Sequence, residues 1–170
     1  MTRVALGLGA NLGDRLAALQ GAVDLIAPLL ADAVVSAVYE TAPVGGPADQ
    51  PDYANAVLAG DTDLDPHRLL LAAHDAEEAW RRTREVRWGP RTLDVDVLAV
   101  GDLELHDPDL VLPHPRAHER GFVLVPWAEI DPGFVIAGHG LVSDLAARAT
   151  ERDGVDAVRR RTDVRLELPA

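Results

Sequence analysis

Eight consecutive residues, Leu93-Asp94-Val95-Asp96-Val97-Leu98-Ala99-Val100, leave this chain few options. Apolar and acidic side chains alternate and then give way to an unbroken apolar run, followed by a Gly101-Asp102 turn, which reads as a strand. On a strand Asp94 and Asp96 share a face, about 7 Å apart along the chain. Leu93, Val95, Val97 and Ala99 take the opposite face, and Leu98 and Val100 continue the Asp face as apolar. Both carboxylates are thereby confined to the beginning of the strand.

The remaining pattern supplies partners for it. Val4 to Gly9 is a short buried strand, and Gly13-Asp14 gives a turn and a helix N-cap. Leu16, Leu19, Val23, Ile26 and Leu30 recur at steps of three and four, so Arg15 to Leu30 is an amphipathic helix. Ala33 to Thr41 and Tyr53 to Thr62 are strands, joined by residues 42–52, APVGGPADQPD, a Pro- and Gly-rich surface loop of the length that often carries function. Asp65-Pro66 starts a second helix running to about Arg81, with Leu69, Ala73, Ala76 and Trp80 inward and His74, Glu77 and Arg81 on an adjacent ridge. Arg82 to Arg91 is an arginine-rich loop, LPHPR a second loop, and Phe122–Ile130 and Leu141–Ala149 are helices. Arg159-Arg160-Arg161 belongs to a charged, exposed tail. The order β-α-β-β-α-β is a split βαβ pattern, which on its own places helices on one sheet face. The fold class expected for the whole chain is α+β, a ferredoxin-like three-layer α-β-α sandwich with a mainly antiparallel central sheet, in a single domain over residues 1–170.

Composition narrows the chemistry. All sixteen basic residues are Arg, there is no Cys, and Ser occurs only at Ser36 and Ser143. Without Lys there is no phosphate-loop lysine or Schiff base, and without Cys no disulfide, thiolate zinc site or thiol nucleophile. Neither Ser lies in a nucleophile elbow. A formal net charge of −12 opposes encounter with nucleic acid or an anionic membrane, so neither partner is expected. No apolar run reaches membrane-spanning length, and the first residues, MTRVALGLGANLGDR, lack a secretory pattern. The expectation is a cytoplasmic monomer.

Two like charges beside an apolar stripe are costly unless something neutralises them. A hard divalent cation does so well, because Mg²⁺ takes one or two carboxylates, keeps waters and shares other positions with substrate phosphates. Arginine pairing or plain solvation of Asp94 and Asp96 is the alternative. Immediately upstream, RRTREVRWGPR places Arg81, Arg82, Arg84, Arg87 and Arg91 within eleven residues, with Glu85 the only acid. Guanidinium forks suit phosphate oxygens, so cations for free oxygens stand next to anions for a metal, as a Mg²⁺-polyphosphate requires. A solvated arginine loop also explains the charge, but not the stiff Trp88-Gly89-Pro90 between the arginines and the Asp pair.

Other segments carry weaker signals. Tyr53 and Asn55 share a face at a strand start, where an aromatic plane and a carboxamide can stack and read a flat heterocycle; a core Tyr is the alternative. LPHPRAHERGF offers His114, Arg116, His118, Arg120 and Phe122; Pro115 and the absence of HExxH argue against zinc, while His114 and Arg120 suit anion contact or helix capping. GLGANLG falls short of a dinucleotide fingerprint and reads as a tight turn after the first strand. Glu77 and Arg81 stand at i,i+4, a plain helix pair worth a few tenths of a kcal/mol.

Together, LGANLGDR, VYETAPVGGPADQPDYANAV, RRTREVRWGPRTLDVDVL and LPHPRAHERGFVLVP resemble the 6-hydroxymethyl-7,8-dihydropterin pyrophosphokinases of folate biosynthesis, in order and spacing from residue 6 to residue 126. The long R-x-R-x-x-R-W-G-P-R-T-L-D-x-D run is the specific part. The resemblance implies a ferredoxin-like fold and transfer of pyrophosphate from the co-substrate ATP to the pterin hydroxymethyl group. It implies that Asp94 and Asp96 hold two Mg²⁺ ions and that Arg82, Arg84 and Arg91 bind or close over the triphosphate, with Arg82 and Arg91 catalytic beside the Asp pair. His114 and Arg120 contribute from the later loop, and His74, Glu77, Trp88 and Val97 border the nucleotide. Tyr53 and Phe122 sandwich the pterin, Trp88 adjoins it, Asn55 reads its edge, and Thr41, Ala42 and Val44 supply loop contacts. The chain departs from the family pattern at Ala10, where Ser is usual, at Arg81, where Gly is usual, and at His74, where some members carry Gln.

The mechanism so implied is attack of the pterin hydroxymethyl oxygen on the β-phosphorus, with AMP leaving, Asp96 a candidate proton acceptor, and residues 42–52 and 82–91 closing to exclude water. Two rivals remain at this point. One is a D-x-D nucleotidyltransferase, attacked at the α-phosphorus and releasing pyrophosphate. The other is a non-catalytic ferredoxin-like ligand-binding module.

Overall fold

The computed structural model describes residues 1–43, 51–85 (83–85 as backbone only) and 93–170. In chain order the elements are β1 (Thr2–Ala10), α1 (Arg15–Ile26), β2 (Ala31–Val35), β3 (Tyr39–Thr41), β4 (Tyr53–Thr62), α2 (Pro66–Glu85), β5 (Asp94–Val100), β6 (Leu105–His106), β7 (Val111–Leu112), α3 (Gly121–Ile130), β8 (Val135–Ile136), β9 (Gly140–Leu141), α4 (Val142–Asp153) and β10 (Arg159–Arg160). The main sheet runs β10-β3-β4-β1-β5, with β2 also on β4, and its pairings are antiparallel. The strands β6–β7 and β8–β9 form two small ribbons.

Each face of the sheet is covered. Val4, Leu6 and Leu8 of β1 pack with Leu19, Val23 and Ile26 of α1 and Leu69 and Ala73 of α2. Ala5, Val57 and Ala59 face the other way, onto Leu124 and Trp127 of α3 and Leu145 and Ala149 of α4. The arrangement is the expected α+β three-layer α-β-α sandwich of ferredoxin-like type, and the simpler placement of helices on one face is corrected by α3 and α4. Period-two alternation along β1 is what lets one strand feed both cores.

Local chemistry explains where boundaries moved. Asp14 caps α1 by accepting from Ala17 N at 3.1 Å, and Gly13 supplies the left-handed turn at φ 68°. The helix stops at Ile26 rather than Leu30 because Pro28 lacks an N–H and crowds the preceding turn; a 3-10 turn, Ala27–Leu29, follows. The strand expected over 33–41 is two strands, interrupted where Ser36 Oγ accepts from Val57 N at 2.9 Å. The tail, expected to be merely exposed, forms β10 on β3, and Leu166 is buried in the first core.

One irregularity governs the site strand. Ala5 faces Ala99 and Leu6 faces Val97, so Leu98 is an extra residue in β5. This bulge resets the alternation: Leu98 and Ala99 both join the α3/α4 core, whereas Val100 joins the α1/α2 core. The sequence expectation for Ala99 and Val100 is therefore reversed, while Asp94 and Asp96, ahead of the bulge, keep their shared face.

Candidate functional site

On the α3/α4 side, where the ends of β1, β4 and β5 emerge from cover, lies a cavity of about 620 Å³. Strand register builds its floor. Asp94 of β5 lies opposite Gly9 of β1, which lies opposite Asn55 of β4, which lies opposite Tyr39 of β3; one step along, Asp96 faces Gly7, which faces Val57. Gly9 leaves its lane bare between Asp94 and Asn55, while the Leu98 side chain lies over Gly7, 3.3 Å from where a Cβ would sit. A Cβ on Gly9 would sit 3.4 Å from Asn55 Oδ1. The expected strand over Val4–Gly9 with a tight turn after it is what forms: Gly7 and Gly9 are strand residues, and Gly13 alone of the three has a positive φ.

The wall across from the Asp pair is aromatic and amide. Tyr53, Thr41, Ala42 and Phe122 line the cavity with Asn55. Asn55 is buried and donates from Nδ2 to Thr41 Oγ1 at 3.0 Å, which fixes its carboxamide. Arg120 lines the same wall with its guanidinium carbon 5.5 Å from the Phe122 ring centroid, a cation–π contact.

Asp94 and Asp96 are exposed to this cavity, and among the described residues no guanidinium or ammonium forms an ion pair with either. Desolvation and then the Asp96 charge push the Asp94 carboxyl above its ordinary range. Glu77 reaches in from α2, where its Oε2 accepts from Val95 N at 3.1 Å on the outer edge of β5. Burial raises its pKa, with Asp94 and Asp96 adding to the rise and the Val95 N–H and His74 opposing it. The i,i+4 pair foreseen with Arg81 is therefore absent: Glu77 is engaged at β5, and Arg81 pairs with Glu78. His114 docks on the same edge by donating its N–H to Leu98 O at 2.8 Å, and its Nδ1 accepts from Arg116 N at 3.2 Å. Burial lowers the His114 pKa, aided by Arg120 and Arg116 and opposed by Asp96.

This donor set fits a hard divalent cation. Two carboxylates on one strand face, uncompensated by described cations, are oxygen ligands of the kind Mg²⁺ takes. Zinc finds nothing comparable in the later loop. His118 stacks on His139 at 3.7 Å between centroids rather than joining His114.

Several expected residues are not among those that line the cavity. His74 and Arg82 are exposed on α2, and the Val97 side chain is buried in the α1/α2 core, turned away from the Asp face. Val44, Trp88 and Arg91 and the side chain of Arg84 lie outside the described residues, as do most of the two loops expected to close. Conversely, Gly7, Gly9, Arg116, Glu119, Arg152 and Asp153 line the cavity without having been singled out as site residues. The glycines carried a legible signal, their i,i+2 spacing in a strand. Arg152 carried none, since it reaches the cavity from the end of α4, where its Nη2 donates to Glu119 O at 2.8 Å.

Fold and cavity together define a ferredoxin-like α+β protein whose cavity sets a carboxylate pair opposite an aromatic and amide wall. The family model described as 7,8-dihydro-6-hydroxymethylpterin-pyrophosphokinase (HPPK) matches residues 5–132, and the chain belongs to this family. It is similar to the 2-amino-4-hydroxy-6-hydroxymethyldihydropteridine pyrophosphokinase of Methylorubrum extorquens, 49% identical over 148 residues, or 86% of this chain and 93% of the relative. The protein of the same description from Mycobacterium tuberculosis is 39% identical over 182 residues, covering 100% of this chain and 92% of the relative. Among solved structures, Plasmodium falciparum HPPK-DHPS, wild type with pterin and p-hydroxybenzoate, aligns at a TM-score of 0.67 and 14% identity over 94% of this chain. This chain spans 46% of that longer one, and the likeness shows the fold.

Proposed function

We propose that the cavity carries out the family's reaction on this chain's own residues. The enzyme is a pyrophosphokinase: the pyrophosphoryl group of ATP passes to the hydroxymethyl oxygen of 6-hydroxymethyl-7,8-dihydropterin in folate biosynthesis. In that step an O–Pβ bond forms, the bridge between the α- and β-phosphorus breaks, and AMP leaves with the bridging oxygen. The observation that carries the reading is the bare Gly9 lane, in register with Asp94 on one side and Asn55 on the other, which joins the carboxylate pair to the Tyr53–Asn55 wall within one cavity.

In this reading Tyr53 and Phe122 take the two faces of the pterin and Asn55, fixed by Thr41, hydrogen-bonds its edge, with Ala42 and Val44 beside it. Asp94 and Asp96 hold Mg²⁺, two ions in this proposal, which when bound supplies positive charge to the phosphate oxygens. Arg82, Arg84, Arg91 and Arg120 bind the triphosphate, and His74, Glu77, Trp88 and His114 border the nucleotide, while Val97, buried under α1 and α2, supports β5 from behind. The alcohol is a weak nucleophile, so the protein's contribution is alignment and charge rather than a strong base, and Asp96 takes the hydroxyl proton. Closure of residues 42–52 and 82–91 keeps water from competing.

The test is product analysis with ATP, Mg²⁺ and the hydroxymethyl-dihydropterin. One AMP per pterin consumed and no free pyrophosphate is expected; free pyrophosphate with AMP retained on the acceptor would replace this reading by nucleotidyl transfer. The protein acts, in the same proposal, as a cytoplasmic monomer, and a dimer mass in size-exclusion light scattering would correct that part.

A further inference from the structure

The wall that meets the pterin is held from behind. Thr41 and Tyr53 are register partners at the ends of β3 and β4. Glu40, one residue before Thr41, accepts from Arg15 Nη2 at 2.7 Å and from Arg161 Nη1 at 3.0 Å. Asp52, one residue before Tyr53, gives its carbonyl to Arg15 Nη1 at 2.9 Å and its carboxylate to Arg159 Nη2 at 2.7 Å. Strand alternation explains the direction: Glu40 points to the α1 face of the sheet when Thr41 points into the cavity, and Arg15 is the first residue of α1.

The grip is more than a solvated charge pair. The side chains of Arg15, Glu40 and Arg161 are only 25%, 20% and 26% exposed, and Arg15 spans two chain segments with its two terminal nitrogens. Burial acts to raise the Glu40 pKa, but Arg15 and Arg161 outweigh it and hold the carboxyl below its ordinary range. Arg161 is itself splayed in place by Asp163, at 2.7 and 2.6 Å. None of these arginines lines the cavity, and Arg159 and Arg161 lie beyond the 5–132 family match.

We propose that Arg15, Arg159 and Arg161 are positioning residues that act through Glu40 and Asp52 to fix Thr41 and Tyr53, and so set affinity for the pterin and not for the nucleotide. This rests on the placement of the pterin at Tyr53 and Asn55. Without the brace, ordering those strand ends becomes a cost charged to pterin binding. ATP, held on the β5 side, is spared that cost.

The test titrates the dihydropterin into wild type, Arg15→Ala, Arg161→Ala and Arg148→Ala with Mg²⁺ and a non-hydrolysable ATP analogue present, and measures KM for both substrates. Arg148 is an exposed α4 arginine whose removal changes the net charge equally. Pterin Kd and KM are expected to rise about fivefold in Arg15→Ala and Arg161→Ala. KM for ATP should stay within about twofold, Arg148→Ala should match wild type, and Arg161→Lys should recover most of the loss. Unchanged pterin constants, or pterin and ATP constants that move together, overturn the positioning role while leaving the functional reading intact. A wild-type chain without pterin affinity overturns the functional reading itself, and this proposal with it. If Arg15→Ala does not fold, Arg159→Ala and Arg161→Ala decide the matter.

Discussion

Asp94 sits where burial and the Asp96 charge both work against its ionisation, and among the described residues nothing cationic pairs with either carboxylate. A structural carboxylate pair would be paired; this one holds its charge toward a cavity. Asp94→Asn and Asp96→Asn should therefore melt at or above the wild-type temperature while turnover falls by about 10³-fold. A melt well below wild type would assign the pair to folding instead. Tyr39, at the far end of the same register row, behaves oppositely. Its burial, then its hydrogen bond to Glu129 and the Glu129 charge, push the phenol up to about 12. A pKa raised on folding favours the protonated form, so its stabilisation is complete below pH 10 and is lost as pH rises toward 12. Melting curves across that window should fall less steeply for Tyr39→Phe than for wild type. The Asp pair was legible in the sequence because period two needs no tertiary information. The engagement of Glu77 by Val95 N was not, since it depends on where α2 crosses the edge of β5.

At the scale of elements, β1 does two jobs at once: its large residues fill the core under α1 and α2, and Gly9 leaves the cavity floor open on the opposite face. Gly9→Ala separates them. Ala suits a strand better than Gly by roughly 0.5–1 kcal/mol, and the added Cβ meets only Asn55 Oδ1 at 3.4 Å. The variant should melt no lower than wild type yet bind the dihydropterin about tenfold more weakly, because its methyl stands on the cavity floor; equal affinity would remove the lane from the site. The longer strands and helices were readable from hydrophobic spacing, as Tyr53–Thr62, found as expected, illustrates, whereas the two-residue strands β6 to β10 are too short to carry a period. What spacing missed were local substitutions of one hydrogen bond for another: Ser36 in place of a ladder bond, and Pro28 with no bond to offer.

For the whole molecule, the two cores share one sheet, and neither can lose its packing without exposing the other's strands. We expect one unfolding transition, with calorimetric and van't Hoff enthalpies equal; two resolved transitions would refute the single-domain proposal for residues 1–170. The least legible parts of the site belong to this scale. Arg152 on the cavity wall and Arg159 and Arg161 behind it come from a stretch whose sequence shows only charge, and they acquire meaning from neighbours more than thirty positions away.

The surplus residue at Leu98 has a consequence of its own. It acts as a phase shift in the pleat, letting a segment that starts with anions toward the solvent finish with Val100 tucked under the opposite layer. Excising that one amino acid would restore a plain alternation in which both anions and Val100 keep their faces, and would take away the side chain that lies over Gly7. The surplus residue is therefore a lid on the strand beside it, and its loss would be felt as a hole over Gly7 rather than as a misplaced anion.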